Sequence, residues 1–127
     1  MQERQLYEYA VIRVVPRVER EEFLNVGLVL YTRKPNFLAV KFHLDEQRLR
    51  VFSAPLDIAE VKAHLCAFEK ICAGDTDAGP IGRLDIASRF RWLTATRSTV
   101  VQTSRVHSGL CSNPQATLTK LFEEIVL

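Results

Sequence analysis

The chain predicts an α+β fold: a small antiparallel sheet of about four strands with helices packed mainly on one face. Three observations carry this expectation. Apolar residues alternate with period two near 7–15, 26–32 and 37–44, as strands require. Apolar residues recur at spacings of three and four over 57–72 and 114–126, as amphipathic helices require. The connections between the three strand-like runs are short, whereas a parallel crossover needs about a dozen residues or more.

Tyr7 to Val15 is rich in valine, isoleucine and aromatics, which favour a pleated and largely buried strand. One face carries Tyr7, Tyr9, Val11, Arg13 and Val15; the other carries Glu8, Ala10, Ile12 and Val14. Pro16 lacks a backbone donor and ends the ladder. Glu19 to Asn25 has helical composition and predicts a short turn that Asn25 terminates. Val26 to Tyr31 is the second strand, in which Gly27 marks a close backbone approach or a bulge. Arg13 is a charge among apolar residues. If buried it needs a partner, for which Glu19, Glu21 and Glu22 are candidates; on an exposed edge its stem packs and its head stays in water.

Arg33-Lys34-Pro35-Asn36 is a turn, so Phe37 to Leu44 pairs with the second strand as a hairpin. Asp45 caps a helical turn through Arg50, and Ala54-Pro55-Leu56 breaks it. Asp57 followed by Glu60 fits a capping box for a helix presenting Ile58, Val61, Leu65, Phe68 and Cys72, which ends before Gly74. Residues 74–82 form a surface loop. Arg83 to Leu93 is a second helix, with Leu84, Ala87 and Phe90 toward the core, and 94–99 is a polar loop. Val100 to Val106 predicts the fourth strand. Asn113-Pro114 starts the last helix, whose apolar stripe is Leu118, Leu121, Phe122 and Ile125.

Several of these residues also carry a likeness. Tyr9, Arg13, Pro16, Glu19, Arg20, Glu22, Phe23, Asn25, Gly27 and Tyr31, then the run Thr94 to Gly109 with Cys111 and Pro114, resemble the domain of unknown function 3037 family of small bacterial proteins. The resemblance covers most of the chain and brings no established chemistry. Some relatives resemble neighbours of genes for HipA-like kinases, so the resemblance implies a protein partner, with such a kinase as the candidate.

The 127 residues suit a single globular domain spanning 1–127, long enough for a core without staples. A formal net charge of +2 is too mild to imply nucleic acid by itself. Three cysteines, Cys66, Cys72 and Cys111, are too few and oddly numbered for a disulfide framework, and none has zinc-site spacing. Cys66 and Cys72 fall in or near an apolar helical stripe. The opening MQERQLYEYA lacks the apolar run of a signal peptide, and no run reaches transmembrane length. The expectation is a cytoplasmic protein with no membrane association, no bound cofactor and free thiols.

No phosphate loop, dinucleotide fingerprint, nucleophile elbow or zinc-protease helix is present. The catalytic candidates are His107, whose pKa range suits acid–base work, with Glu22 and Arg13. A small hydrolase or nuclease would need Glu19, Glu22, Arg13 and His107 to converge. Residues 83–107 hold Arg83, Arg89, Arg91, Arg97 and Arg105 against one acid, Asp85. Arg97-Ser98-Thr99 and Arg105 are therefore candidate contacts for a phosphate, a nucleic acid or an acidic protein. Trp92 and Tyr31 are candidate aromatic anchors if exposed. The leading expectation is a protein-interaction or accessory module; phosphate or nucleic-acid binding is the first alternative, and a small hydrolase or nuclease the second.

Overall fold

The computed structural model describes residues 4–95, 97 and 99–127. Its centre is β1 (Gln5–Val14), a strand paired on both edges. β2 (Leu24–Thr32) runs antiparallel to one edge, and β3 (Phe37–Phe42) closes the expected hairpin on β2. The register between β1 and β2 shifts where Ile12 faces Gly27 but Arg13 faces Asn25, leaving Val26 as the extra residue of a bulge. Gly27 is also a close approach. A Cβ there would lie 2.7 Å from the Lys41 carbonyl oxygen and 2.8 Å from Phe42 Cβ.

The other edge of β1 departs from expectation. The single strand expected over Val100 to Val106 is instead two short ones, β4 (Val101–Thr103) and β5 (His107–Cys111), both antiparallel to β1. Ser104 is the reason. Its backbone N–H donates to the Val11 carbonyl at 2.8 Å, while its Oγ accepts from the Val11 N–H at 2.8 Å. The hydroxyl then donates to the Arg105 carbonyl at 2.9 Å. A side chain thus replaces one strand carbonyl, and the ladder continues while the backbone of 104–106 leaves strand geometry. His107, Ser108 and Gly109 are held in strand geometry for a related reason. Gly109 faces Tyr7, whose ring covers it so closely that a Cβ would lie 2.5 Å from the phenol oxygen.

Four α-helices complete the layers. α1 (Glu46–Phe52), α2 (Ile58–Ala73) and α3 (Ile86–Leu93) pack on one face, called the front. There Ala10, Ile12, Val14, Val29 and Tyr31 meet Leu49, Val61, Leu65, Phe90 and Leu93. α4 (Pro114–Ile125) packs alone on the back, setting Leu118 against Leu28 and Leu30. Burying each such leucine stabilises the fold by roughly 1.5–3 kcal/mol relative to exposure. The expected caps are present: Asp45, Asp57 and Asn113 accept from Arg48, Glu60 and Ala116 N–H at 3.1, 3.2 and 3.1 Å.

The helical turn expected over Glu19 to Asn25 is smaller. Only Val18–Arg20 forms a 3-10 turn, Glu21 adopts a left-handed conformation (φ 56°), and β2 already begins at Leu24. The charges there pair locally, Arg17 with Glu19 and Arg20 with Glu22, so no apolar face exists to extend a helix. α3 likewise starts later than Arg83, because Pro80–Arg83 is a 3-10 turn and Asp85 caps the helix from Ile86. Leu84, expected in the core, is exposed before that cap. The loop expected over 74–82 carries two 3-10 turns and buries Gly82. The three thiols are free; Cys72 and Cys111 are buried, whereas Cys66 is exposed and off the apolar stripe.

Candidate functional site

α3 is amphipathic over only two turns, and this places Trp92. Phe90 and Leu93 point into the core, so Trp92 between them must point outward and is 44 % exposed. Thr94 ends the helix by donating from its hydroxyl to the Phe90 carbonyl at 2.9 Å. The Arg97 guanidinium donates to the Trp92 carbonyl and lies over the indole, 4.7 Å from the ring centroid. Beyond it, Thr99 Oγ1 donates to the Val101 carbonyl at 2.5 Å, and Gln102 Nε2 donates to the Thr99 carbonyl at 2.8 Å. These bonds tie the end of the loop to β4.

Between this loop, α2 and β4 lies a cavity of about 210 Å³. Its walls are mainly apolar, from Phe68, Ile71, Leu93 and Val101, with Trp92 at the side. His64 and Arg97 are its basic-type side chains, and no carboxylate lines it among the described residues. His64 stands 3.8 Å from Glu60 on the same helix. Three of the sequence candidates, Trp92, Arg97 and Thr99, therefore meet in one place, while Ser98 lies outside the described residues. Arg105 is exposed at the joint between β4 and β5 and does not line the cavity. Tyr31 fails the condition of exposure: it is 9 % exposed and stacks on Phe90 with centroids 5.2 Å apart.

The catalytic candidates do not converge. His107 is on the back face, stacked on Tyr9 at 5.2 Å. Ser108 alternates to the other side of β5 from His107, and Cys111 is buried opposite Gln5. Glu22 is exposed and paired with Arg20, whose hydrogen bond holds its carboxyl below the usual range. Arg13 lies on the central strand, so the edge-strand expectation does not hold. Nor does it pair with Glu19, Glu21 or Glu22; its guanidinium stacks 4.0 Å over the Phe23 ring. Its Nε and Asn25 Oδ1, cross-strand neighbours, are buried without hydrogen-bond partners. No group of three or more His, Cys, Asp or Glu that could hold a metal ion occurs among the described residues.

A family model described as Protein of unknown function (DUF3037) matches residues 9–126. The chain belongs to the DUF3037 family. Neither the curated proteins nor the solved structures contain a match. The DUF3037 match spans the sheet from Tyr9 onward, all four helices and the Trp92 cavity. No helix among its described residues is long and apolar enough to cross a membrane.

The basic run of this DUF3037 chain is largely engaged in holding the fold. Arg89 Nη1 donates to the Ile71 and Cys72 carbonyls at 2.9 Å each, and its Nε donates to Leu84 O at 3.0 Å. It thereby closes the end of α2, where burial pushes the Cys72 thiol up to about 12. Arg91 pairs with Glu8 on β1 at 2.7 Å. Sequence reasoning missed a different set of cations. Arg33 and Lys34, from the β2–β3 turn, line a front-face groove with Arg91. They lie far from Arg91 in sequence, and no local pattern joins them.

Proposed function

We propose that this DUF3037 protein works by holding another protein, and that the Trp92–Arg97 cavity receives one of the partner's apolar side chains. The carrying observation is a half-exposed tryptophan, braced by an arginine, at the side of an apolar cavity with no acid among its described lining residues. Tryptophan and arginine are the residue types that dominate binding energy when an interface closes over them. Bracing by the Trp92 carbonyl and ring reduces the ordering that Arg97 must undergo on association. Positive charge at the rim favours a partner segment that flanks its apolar anchor with carboxylates. A HipA-like kinase is the partner that the family resemblance implies. A phosphate or nucleic-acid role has less support, because Arg89 and Arg91 already serve internal contacts and Arg105 does not line the cavity. A hydrolase or nuclease has less still, because His107 stacks on Tyr9, Arg13 on Phe23 and Glu22 pairs with Arg20, each in a separate contact.

The experiment is affinity purification of the chain under native expression, followed by reconstitution with the purified second chain. Trp92→Ala and Arg97→Ala should each weaken that complex by about tenfold or more, as central contacts do. Their thermal melting should stay close to that of the unaltered chain. Absence of a reproducible second chain, or a complex indifferent to both substitutions, would refute the proposal.

A further inference from the structure

The front face has a second feature, separate from the Trp92 cavity. Helices α1 to α3 cover the middle of the sheet, but among the described residues no element packs over the end formed by Leu6 of β1 and Leu110 of β5. These two leucines are cross-strand partners, 59 % and 61 % exposed respectively. Side by side they form an exposed apolar strip. Beside it lies an open groove of about 580 Å³ bordered by Leu6, Glu8, Arg33, Lys34 and Arg91. Arg91 is partnered by Glu8. Arg33 and Lys34 are exposed and have no carboxylate within ion-pair distance among the described residues. The groove therefore carries net positive charge along one side of an apolar strip.

We infer that this end of the sheet receives an amphipathic helix of a partner protein, with leucine-like residues on the strip and carboxylates along the border facing Arg33 and Lys34. A helix is the element that the surface lacks. It would lie beside α3 and extend the front helical layer over β1 and β5, burying an apolar stripe as α1 to α3 do. Charge selects the occupant. A second copy of this chain would bring its own Arg33 and Lys34 to the same rim, whereas an acidic helix would pair with them. The inference stands on residues that do not line the Trp92 cavity, so either can fail without the other.

The test uses two synthetic helical peptides with one shared leucine face, bordered by glutamates in one and by lysines in the other. Each is titrated into the isotope-labelled full chain. The glutamate peptide should bind saturably and move the amide signals of Leu6, Leu110 and Arg33. Leu110→Lys, and separately the double change R33E/K34E, should weaken it by about tenfold or more, as loss of an anchor or of charge complementarity does. Trp92→Ala should leave it unchanged. Leu110 and Arg33 are exposed, so these variants keep the core intact. Equal binding of the lysine peptide, no saturable binding of either, signals moving only around Trp92, or tighter binding of an RNA oligonucleotide to the same groove would each overturn the inference.

Discussion

Replacing Ser104 by alanine tests whether a side chain really completes the ladder on the far edge of β1. Ser104 is 5 % exposed and Val11 6 %, so neither group can turn to water when the hydroxyl is lost. The Val11 N–H loses its acceptor at 2.8 Å, and the Arg105 carbonyl loses a donor at 2.9 Å. An orphaned buried donor costs about 1–3 kcal/mol, and a partly exposed carbonyl less, so the expected loss is roughly 2–3 kcal/mol. Relaxation is restricted, because the Val11 carbonyl remains held by the Ser104 N–H and Val11 still pairs with Leu28. Urea denaturation measures the total, and amide hydrogen exchange at Val11 reads the site. Ser104→Thr, which keeps the hydroxyl, should recover most of the loss. Alanine within about 0.5 kcal/mol of the original, the range of an ordinary surface change, with Val11 exchange unaltered, would refute the reasoning.

Two further outcomes follow from the packing. Gly27→Ala should cost about 1–3 kcal/mol by overpacking, because two of its three close neighbours are backbone or Cβ atoms of β3; a melting temperature unchanged from the original would count against that close approach. Only Cys66 should react promptly with a thiol reagent in the native protein at pH 8, since Cys72 and Cys111 are buried. Cys72 also gives stability an alkaline limit. Its folded pKa, near 12, lies above the unfolded value of 9.0, so its contribution is intact below pH 9 and is lost as pH rises toward 12. Urea midpoints measured from pH 8 to 11 should fall more steeply in the original than in Cys72→Ala.

Much of the fold was legible because the signals were local. Asp57, Asn113 and Pro114 marked helix starts that the structure bears out, and Arg33 to Asn36 marked a hairpin turn. β5 was not legible, because HSGLC has little strand composition of its own. It is a strand because Tyr7 covers Gly109, roughly a hundred residues away in sequence, and tertiary context overrides propensity in such cases. The turn after Pro16 misled for a similar reason: Phe23, which would have given a helix its apolar face, lies under Arg13. At the candidate site, Trp92 and Arg97 were legible as types, but their stacking depends on how α3 ends at Thr94. The Arg33–Lys34–Arg91 groove had no local sign at all, since its cations come from a turn and a helix joined only by the sheet.

The position of β1 has a consequence for how the chain is made. Its partners β2 and β3 follow directly, and a meander of three strands can form as soon as residue 42 has left the ribosome. The opposite edge must wait for residues 101–111. At about 5–20 residues per second, translating the intervening stretch takes on the order of 3–14 s. Throughout that interval a strand carrying YAVIRV offers unpaired backbone to any other nascent chain. Glu8 and Arg13, which bracket its apolar stretch, then act as gatekeepers against intermolecular pairing before either has reached its final neighbour. Their charge is useful during synthesis as well as in the finished fold, where Glu8 meets Arg91 and Arg13 meets Phe23.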